Sequence, residues 1–295
     1  MLDPNICVSY FYSLFQGRDD AYGTWEGGSE KCDVGVKQFV NHLTGNLLIG
    51  VYPLTDESMV RWGCSDIDVD DLDSARNLQT AFAVKRVPSF VEKTRRGYHV
   101  WVFADDWVPA RVMRRAFLVA HQVIGLPPKE VNPKQESVSG LGNYVRLPYP
   151  GGLLSLPSER FVLGDDDKPL DLGDFLGNAI NSRVSEDLLS MLADMYSPPQ
   201  RKSFDVVANV GVMDALSRVN PIVAKIWREG PLEGVDRSTT LARMCHLMRE
   251  ANTPVSHAFA LLVDADKRWG KFHLRPDGEL HLRNMLEASY SKGVS

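Results

Sequence analysis

The residues best suited to chemistry lie in the acidic segment SDIDVDD, residues 65–71. If this segment is a strand, alternation places Asp66 and Asp68 on one face and Ile67 on the other. Carboxylates held this close repel each other unless a cation lies between them. Hard oxygen ligands of this kind suit Mg2+ or Mn2+ held beside substrate phosphates. The pair therefore predicts a divalent metal site, and a solvated strand edge is the alternative.

A second segment, TRRGYHVWVF at residues 94–103, joins a basic turn to a strand. Arg95 and Arg96 lie in the turn, and alternation puts His99 on the same strand face as Trp101 and Phe103. A histidine that follows two arginines is suited to contact a triphosphate. A buried structural histidine is the alternative.

A third segment, KEVNPKQESVSGLGNYVRLPY at residues 129–149, carries another acid beside a short β run. Glu130 is followed by Lys134 and Gln135, and a glycine-rich turn containing Asn143 leads to Arg146 on the next strand. A third carboxylate would complete a site for two cations, which activates a 3′-hydroxyl and stabilises leaving pyrophosphate. A nearby acid, residue 136, competes with Glu130 for this role.

Charge is distributed unevenly along the 295-residue chain, whose net charge is -5. Between Lys85 and Lys134, ten Lys or Arg residues accompany four Asp or Glu residues, a local balance of +6. A basic surface beside an acidic pocket is what metal-assisted phosphate binding needs. For Arg111, Arg114 and Arg115 there is an alternative: they could form the solvent-exposed face of a helix and bind no phosphate.

The elements that must position these residues are strands and helices in the first half of the chain and helices alone in the second. Strands are predicted at residues 45–54, 62–69, 97–103 and 143–149, and helices at residues 72–87 and 109–125. The second half is predicted to be helical at residues 205–219, 238–251, 254–270 and 278–290. With a linker near residues 190–205, this predicts two domains, residues 1–190 and residues 205–295.

Several functional classes find no support in the sequence. No G-x-x-x-x-G-K-[ST] segment or G-x-S-x-G elbow is present, so neither an ATPase motor nor a serine hydrolase is predicted. Four scattered cysteines argue against zinc and against a disulfide framework. No apolar run approaches the length of a membrane span, and the N-terminus lacks the features of an export signal. A cytoplasmic protein without a membrane partner is expected.

The motifs in their order resemble the archaeo-eukaryotic primase superfamily, and most of all the primase-polymerases of bacteriophages and bacterial conflict systems. The resemblance runs from about residue 9 to residue 163 and rests on WGCSDIDVDD, RGYHVWVF, NPKQ and GLGNYVRLPYPG. It implies that Asp66, Asp68 and Glu130 bind metal and that His99 contacts the triphosphate. It also suggests that the segment GRDDAYG lines the nucleotide pocket with Arg18 and Tyr22.

The resemblance implies an α+β fold: an RRM-like catalytic core with a small α/β subdomain, followed by a C-terminal helical domain similar to those of phage primases. The expected function is that of a DNA primase-polymerase, which makes or extends primers on single-stranded DNA using nucleoside triphosphates and Mg2+ or Mn2+. A separate replicative helicase is a further expected partner. Three alternatives remain open: an inactive RRM-like nucleic-acid-binding module, a repair polymerase that only extends primers, and a metal-dependent nuclease.

The helical half offers a second basic surface. Arg237, Arg243 and Lys271 could hold template or the initiating nucleotide, and Trp269 and Phe272 could stack on a base. The alternative is a solvated helical bundle with these aromatic residues in its core.

Overall fold

The computed structural model describes residues 2–67, 71–138, 140–156, 158–198, 210–275 and 277–290. The chain divides into two compact units, Met1–Ser197 and Pro198–Ser295. None of the helices in the described ranges is long and apolar enough to cross a lipid bilayer.

The first unit mixes helices and strands along the chain. Its helices are α1 (Pro4–Phe15), α2 (Val36–Thr44), α3 (Leu72–Val84), α4 (Ala110–Ile124), α5 (Leu172–Asn181) and α6 (Glu186–Ala193). Its strands are β1 (Ala21–Thr24), β2 (Ser29–Lys31), β3 (Ile49–Val51), β4 (Met59–Ile67), β5 (Phe90–Lys93), β6 (Tyr98–Pro109), β7 (Glu130–Asn132), β8 (Val145–Arg146) and β9 (Phe161–Val162).

These strands form two sheets, one with the order β7-β4-β6-β5-β9 and one with the order β2-β1-β3-β8. All the strand pairs in both sheets are antiparallel. In the larger sheet, the segment β4-α3-β5-β6-α4-β7 follows a βαββαβ path, and its strands lie in the spatial order fourth, first, third, second. This is the split βαβ arrangement of RRM-like and ferredoxin-like folds. The predicted RRM-like core is confirmed, and β9 extends it by one strand.

The larger sheet is buried on both faces, and β6 shows why its sequence is a continuous apolar run. Val100 and Val102 point into a core formed with α3, α4 and α6. Trp101 and Phe103 point into a second core formed with α1, α2, α5 and the smaller sheet. The alternation predicted for this strand is therefore confirmed. On the sheet face that carries His99, Trp101 and Phe103 are fully covered by protein.

The helices and strands predicted for the first unit are present in the structure, but their lengths differ from the predicted ones. β4 begins at Met59, before the predicted strand, and β6 continues to Pro109. Short strands such as β2 and β9, with three and two residues, were not predicted because they are too short to show an alternating pattern. The first unit also extends past its predicted end at residue 190, because α6 spans that position and buries Leu189 and Leu192 in the core.

The second unit is helical throughout the part that the structure describes. Its helices are α7 (Val212–Ser217), α8 (Pro221–Glu229), α9 (Arg237–Glu250), α10 (Val255–Trp269) and α11 (Gly278–Tyr290). They surround an apolar core of their own that includes Leu241, Phe259 and Leu282. The predicted C-terminal helical domain is confirmed, with α8 as an additional helix.

Candidate nucleotide and metal site

Four polar residues lie in one row across the larger sheet. Asp66 on β4 is paired with Glu130 on β7, and on its other side with His99 on β6. His99 is in turn paired with Glu92 on β5. Directly opposed residues of antiparallel strands point to the same face with Cβ atoms about 4.5–5.5 Å apart. The sheet register therefore brings three acids and one histidine together from four strands.

The turn between β5 and β6 sets part of this register. The Thr94 amide donates to the Gly97 carbonyl at 2.9 Å, and the Gly97 amide donates to the Thr94 hydroxyl at 3.1 Å. A four-residue turn of this kind places Glu92 opposite His99 and leaves Arg95 and Arg96 at its tip. The same local sequence therefore positions the histidine and two cations.

The acidic segment at residues 65–71 supplies more than one function. The Asp66 side chain is 27% exposed and lines the cavities described below. Asp68, its predicted partner in metal binding, lies outside the described residues. Asp71 caps α3, where its carboxylate accepts a hydrogen bond of 3.1 Å from the Ser74 amide. Part of the crowded charge in this segment is thus explained by a helix start.

Glu130 is the acid of the third segment that lies beside Asp66. Its carboxylate accepts a hydrogen bond from Asn132 at 3.4 Å and forms an ion pair of 2.8 Å with Lys134. Glu136, the competing residue, instead pairs with Arg115 at 3.3 Å. The structure therefore brings Glu130 to the row and places Glu136 elsewhere.

The helix α4 holds β7 in this position. Arg114 donates from Nη1 to the carbonyl groups of Val131 and Pro133, both at 2.9 Å. Burial lowers the pKa of Arg114, which remains far above neutrality for a guanidinium. With Arg115 paired to Glu136, two of the three basic residues on this helix have structural partners.

His99 lies between two carboxylates. Its Nδ1 atom is 3.0 Å from Glu92 Oε2, and its Nε2 atom is 3.6 Å from Asp66 Oδ1. The ring is nearly buried, with 11% of the side chain exposed. Since the carboxylate of Glu92 accepts, Nδ1 carries a proton and Nε2 faces Asp66 and the cavities.

Glu92 and Arg160 are site residues that the sequence did not reveal. Glu92 is fully buried and also accepts from the indole of Trp101 at 2.7 Å. Arg160 Nη2 lies 2.6 Å from Glu92 Oε1. Burial raises the pKa of the Glu92 carboxyl, but the charge of Arg160 and the hydrogen bonds from His99 and Trp101 outweigh this effect and hold the pKa below its ordinary value. Glu92 could have been found from the sequence, because a hairpin with its turn at TRRG pairs Glu92 with His99. No feature of the sequence pointed to Arg160.

A first cavity of about 540 Å³ opens over the acidic end of the row. Its lining includes Asp66, His99 and Glu130 from the larger sheet, and Tyr144 and Arg146 from the segment that forms β8. Most of its remaining lining is polar or glycine: Gly28, Ser29, Tyr52, Asn132, Gly142, Asn143, Val145 and Arg160. Both sheets of the first unit thus contribute to its walls.

Tyr144 reaches this cavity because two glycines allow its ring to lie on the smaller sheet. Gly23 and Gly50 are cross-strand partners on β1 and β3. A Cβ atom at Gly23 would lie 2.1 Å from the Tyr144 ring, and one at Gly50 would lie 2.3 Å from it. The Tyr144 hydroxyl donates to the Thr24 carbonyl at 3.0 Å.

A second cavity of about 400 Å³ also borders His99. It shares Asp66, His99, Arg146 and Arg160 with the first cavity, and it adds a set of mostly basic or polar residues: Trp25, Thr94, Arg95, Arg96, Pro150, Ser158 and Glu159. Arg146 donates to the Trp25 carbonyl at 2.7 Å, and its guanidinium lies 5.5 Å from the Trp25 ring centre. Four arginines against two acids make this cavity suited to a polyanion.

The predicted binding residues divide into three groups. Arg95 and Arg96 line the second cavity, Asn143 lines the first, and Arg146 lines both. Lys134 and Gln135 line a small recess that shares Asn143 with the first cavity. Arg18 and Tyr22 line neither cavity: Arg18 forms ion pairs with Asp20 and Asp56, the second at 2.9 Å, and Tyr22 lies within β1. Arg18 therefore has carboxylate partners close to its own turn and does not line the described cavities.

Comparison with known proteins identifies one family. The family described as TOTE conflict system, Archaeo-Eukaryotic Primase domain, matches residues 27–171, a span that contains the whole polar row, the lining of the first cavity and the lining of the second cavity except Trp25. A crystal structure of the primase RepB′ has a TM-score of 0.32 and 10% identity over 97% of each chain, which is too low to support an argument. No curated protein matches this chain.

Proposed function

Because the first unit of this chain belongs to the archaeo-eukaryotic primase superfamily, a family of primase-like nucleotidyltransferases, we propose that the protein is a DNA primase-polymerase. In this proposal it joins a nucleotide α-phosphate to a primer 3′-hydroxyl, directed by a single-stranded DNA template, and releases pyrophosphate. A cytoplasmic location, in bacteria or in the host of a phage, is part of the same proposal.

The observation that carries the proposal is that carboxylates and arginines meet at His99. Asp66 is paired with Glu130 on one side and with His99 on the other, and Asp66 and His99 both line the second cavity together with its four arginines. Nucleotidyl transfer needs both halves of this arrangement, because carboxylates bind cations at the reacting phosphate and fixed positive charge neutralises the leaving pyrophosphate.

The described donors suit Mg2+ or Mn2+ in their chemistry. Asp66 and Glu130 are hard oxygen donors on adjacent strands, both partly exposed to the first cavity. The Lys134 ammonium on Glu130 shows that this carboxylate already attracts a cation. Among the residues that the structure describes, no three His, Cys, Asp or Glu side chains form a metal cluster. The proposed set therefore includes Asp68, which lies outside those residues.

Bound cations would lower the pKa of the attacking 3′-hydroxyl and offset charge on the pyrophosphate. The residues of this chain do the positioning. In this proposal Arg95, Arg96 and Arg146, which line the second cavity, bind the triphosphate there, and His99 presents Nε2 toward Asp66, which lines the same cavity. Fixed donors around the phosphates require little reorganisation during the reaction.

The test is nucleotide incorporation on primed and unprimed single-stranded DNA, with ribo- and deoxynucleotides and with Mg2+ or Mn2+. We expect metal-dependent products with the natural chain and their loss with Asp66→Asn. Glu136→Gln is the matched control, since this acid lies in the same region but pairs with Arg115. Products on primed DNA alone would indicate a polymerase that only extends primers.

Two outcomes would contradict the proposal. Binding of DNA without incorporation under any condition would indicate an inactive binding module. Cleavage of labelled single-stranded DNA with metal alone, unaffected by added nucleotides, would indicate a nuclease. Stimulation by a separate helicase is a further expectation that this assay can measure on duplex DNA.

The helical unit offers fewer free cations for DNA than its sequence suggests. Arg237 donates to the Trp269 carbonyl at 2.7 Å, and Lys271 pairs with Asp236 at 2.7 Å. Phe272 is buried in the core of this unit, whereas Arg243 is exposed. We therefore propose Arg243 as the first residue of this unit to test for contact with template or with the initiating nucleotide.

A further inference from the structure

Glu92 is a fully buried carboxylate directly beneath the proposed nucleotide site. We infer that Glu92 is a positioning residue, which fixes the imidazole of His99 and the guanidinium of Arg160 in the orientation that binds the triphosphate. The inference rests on the proposed function, and it adds a residue that does not itself line either cavity.

The first role of Glu92 is to set the tautomer and direction of His99. An ionised carboxylate can only accept, so the 3.0 Å contact requires a hydrogen on Nδ1 of the ring. That leaves Nε2 directed toward Asp66 and the cavities. Without Glu92, the ring could rotate about its side-chain torsions and present either nitrogen.

The second role is to hold Arg160 between the two sheets. Arg160 Nη2 lies 2.6 Å from Glu92 Oε1 and donates to the Arg146 carbonyl at 2.8 Å. Arg146 belongs to β8 of the smaller sheet, and Glu92 belongs to β5 of the larger sheet. The carboxylate therefore links the walls of the cleft through one guanidinium that lines both cavities.

Arg160 Nη2 also lies 3.3 Å from His99 Nδ1. With a hydrogen on Nδ1, both atoms of this contact are hydrogen-bond donors. Two donors come this close when both are directed at the same carboxylate, here that of Glu92. Three donors in total reach the two oxygens of Glu92, the third being the indole of Trp101. A neutral amide at this position could satisfy only part of the set, because its nitrogen would face a donor.

A purely structural role would not require this composition. A buried ion pair is weak support for stability, because well-packed apolar residues of similar volume stabilise a core at least as well. Two of the three partners of Glu92, His99 and Arg160, line the cavities, and only Trp101 belongs to the core alone. The hydrogen bonds and the ion pair of Glu92 therefore mainly hold residues of the proposed nucleotide site.

The test compares Glu92→Gln with the natural chain in primer extension and in binding of a fluorescent deoxynucleoside triphosphate. We expect KM and the nucleotide dissociation constant to rise about 10- to 100-fold, the usual effect of losing hydrogen bonds to charged groups. The kcat value and the affinity for primer-template DNA should change less than threefold. Glu92→Asp, which keeps the charge, should recover part of the loss.

Two control variants separate positioning from stability. Trp101→Phe removes the neutral donor to the same carboxylate and keeps both site partners, so KM should stay within about threefold. Asp266→Asn changes another fully buried carboxylate, in the helical unit, and should lower the melting temperature without changing KM. Unchanged KM and nucleotide affinity in Glu92→Gln would overturn the inference.

Remaining outcomes are also decisive. If Glu92→Gln does not fold, the double variant Glu92→Gln/Arg160→Gln is the fallback, because it also removes the guanidinium charge that Glu92 neutralises. The KM of this double variant should exceed the KM of Arg160→Gln alone. An equal KM in the two would refute the positioning of His99. If the natural chain binds nucleotide but incorporates none, the proposed function fails, whereas weaker binding by Glu92→Gln would still support the inference.

Discussion

Acidification should destabilise the first unit in part through the buried histidine His42 on α2. Its Nδ1 atom accepts a hydrogen bond of 3.3 Å from the Ile49 amide, so its one proton is on Nε2, which donates to the Pro148 carbonyl at 2.9 Å. A second proton would have to enter at Nδ1, facing the Ile49 N–H group. Burial is the largest cause that lowers the pKa of His42, to about 4.

The magnitude follows from the difference between folded and unfolded pKa values. An unfolded histidine has a pKa of about 6.5, so between pH 6.5 and pH 4 the unfolded chain binds more protons than the folded one. The contribution of His42 is therefore fully present above pH 6.5 and is lost as the pH falls toward 4. From pH 7 to pH 5 the free energy of unfolding should fall by about 2 kcal/mol from this residue. Carboxylates such as Glu92, whose pKa is lowered in the fold, add their own loss at lower pH.

The assay is urea unfolding at pH 7 and pH 5, followed by tryptophan fluorescence in a background of Trp227→Phe and Trp269→Phe. All remaining tryptophans then report on the first unit. His42→Gln should lower stability at pH 7 and reduce the loss between the two pH values by about 2 kcal/mol. His121, whose pKa is also lowered by burial, contributes equally to both proteins and cancels in the comparison. An identical pH dependence with and without His42 would refute the reasoning.

The other predictions concern the site. Asp66→Ala should lower nucleotide incorporation about 1,000-fold with no loss of melting temperature, since loss of a metal ligand removes several kcal/mol of transition-state stabilisation. Full activity of this variant would refute the metal site. Glu130→Ala should be comparably inactive and Glu136→Ala nearly normal in the same assay, and the reverse result would move the third ligand to Glu136. His99→Ala should raise the KM for nucleotide about 10- to 100-fold with little effect on template affinity, whereas a lower melting temperature with unchanged KM would indicate a structural histidine. Arg243→Ala should weaken primer synthesis, most of all at low salt, where charge is least screened, and leave primer extension unchanged, and equal loss of both would exclude a specific role in initiation. Chelation of divalent metal should abolish incorporation, and added Mg2+ or Mn2+ should restore it.

Sequence patterns alone were sufficient for the α+β class, for the helical second half and for the motif order that indicated the superfamily. These properties depend on residues close together in the chain. The alternation of β6 is an example, because neighbouring residues of a strand point to opposite faces whatever the rest of the fold. The placement of His99 beside a basic turn is equally local, since a four-residue turn connects β5 to β6.

The assembled site depended on the tertiary structure, because its members come from distant segments. Asp66 meets Glu130 only through the pairing of β4 with β7, and that register also separates Glu130 from Glu136. Arg160 is 61 positions from His99 in sequence and reaches it between two sheets. A buried charge of this kind leaves no periodic signal, since its position is set by the carboxylate it must neutralise. The local chain thus specified the chemical groups, and the packing of the two sheets decided which of them share a site.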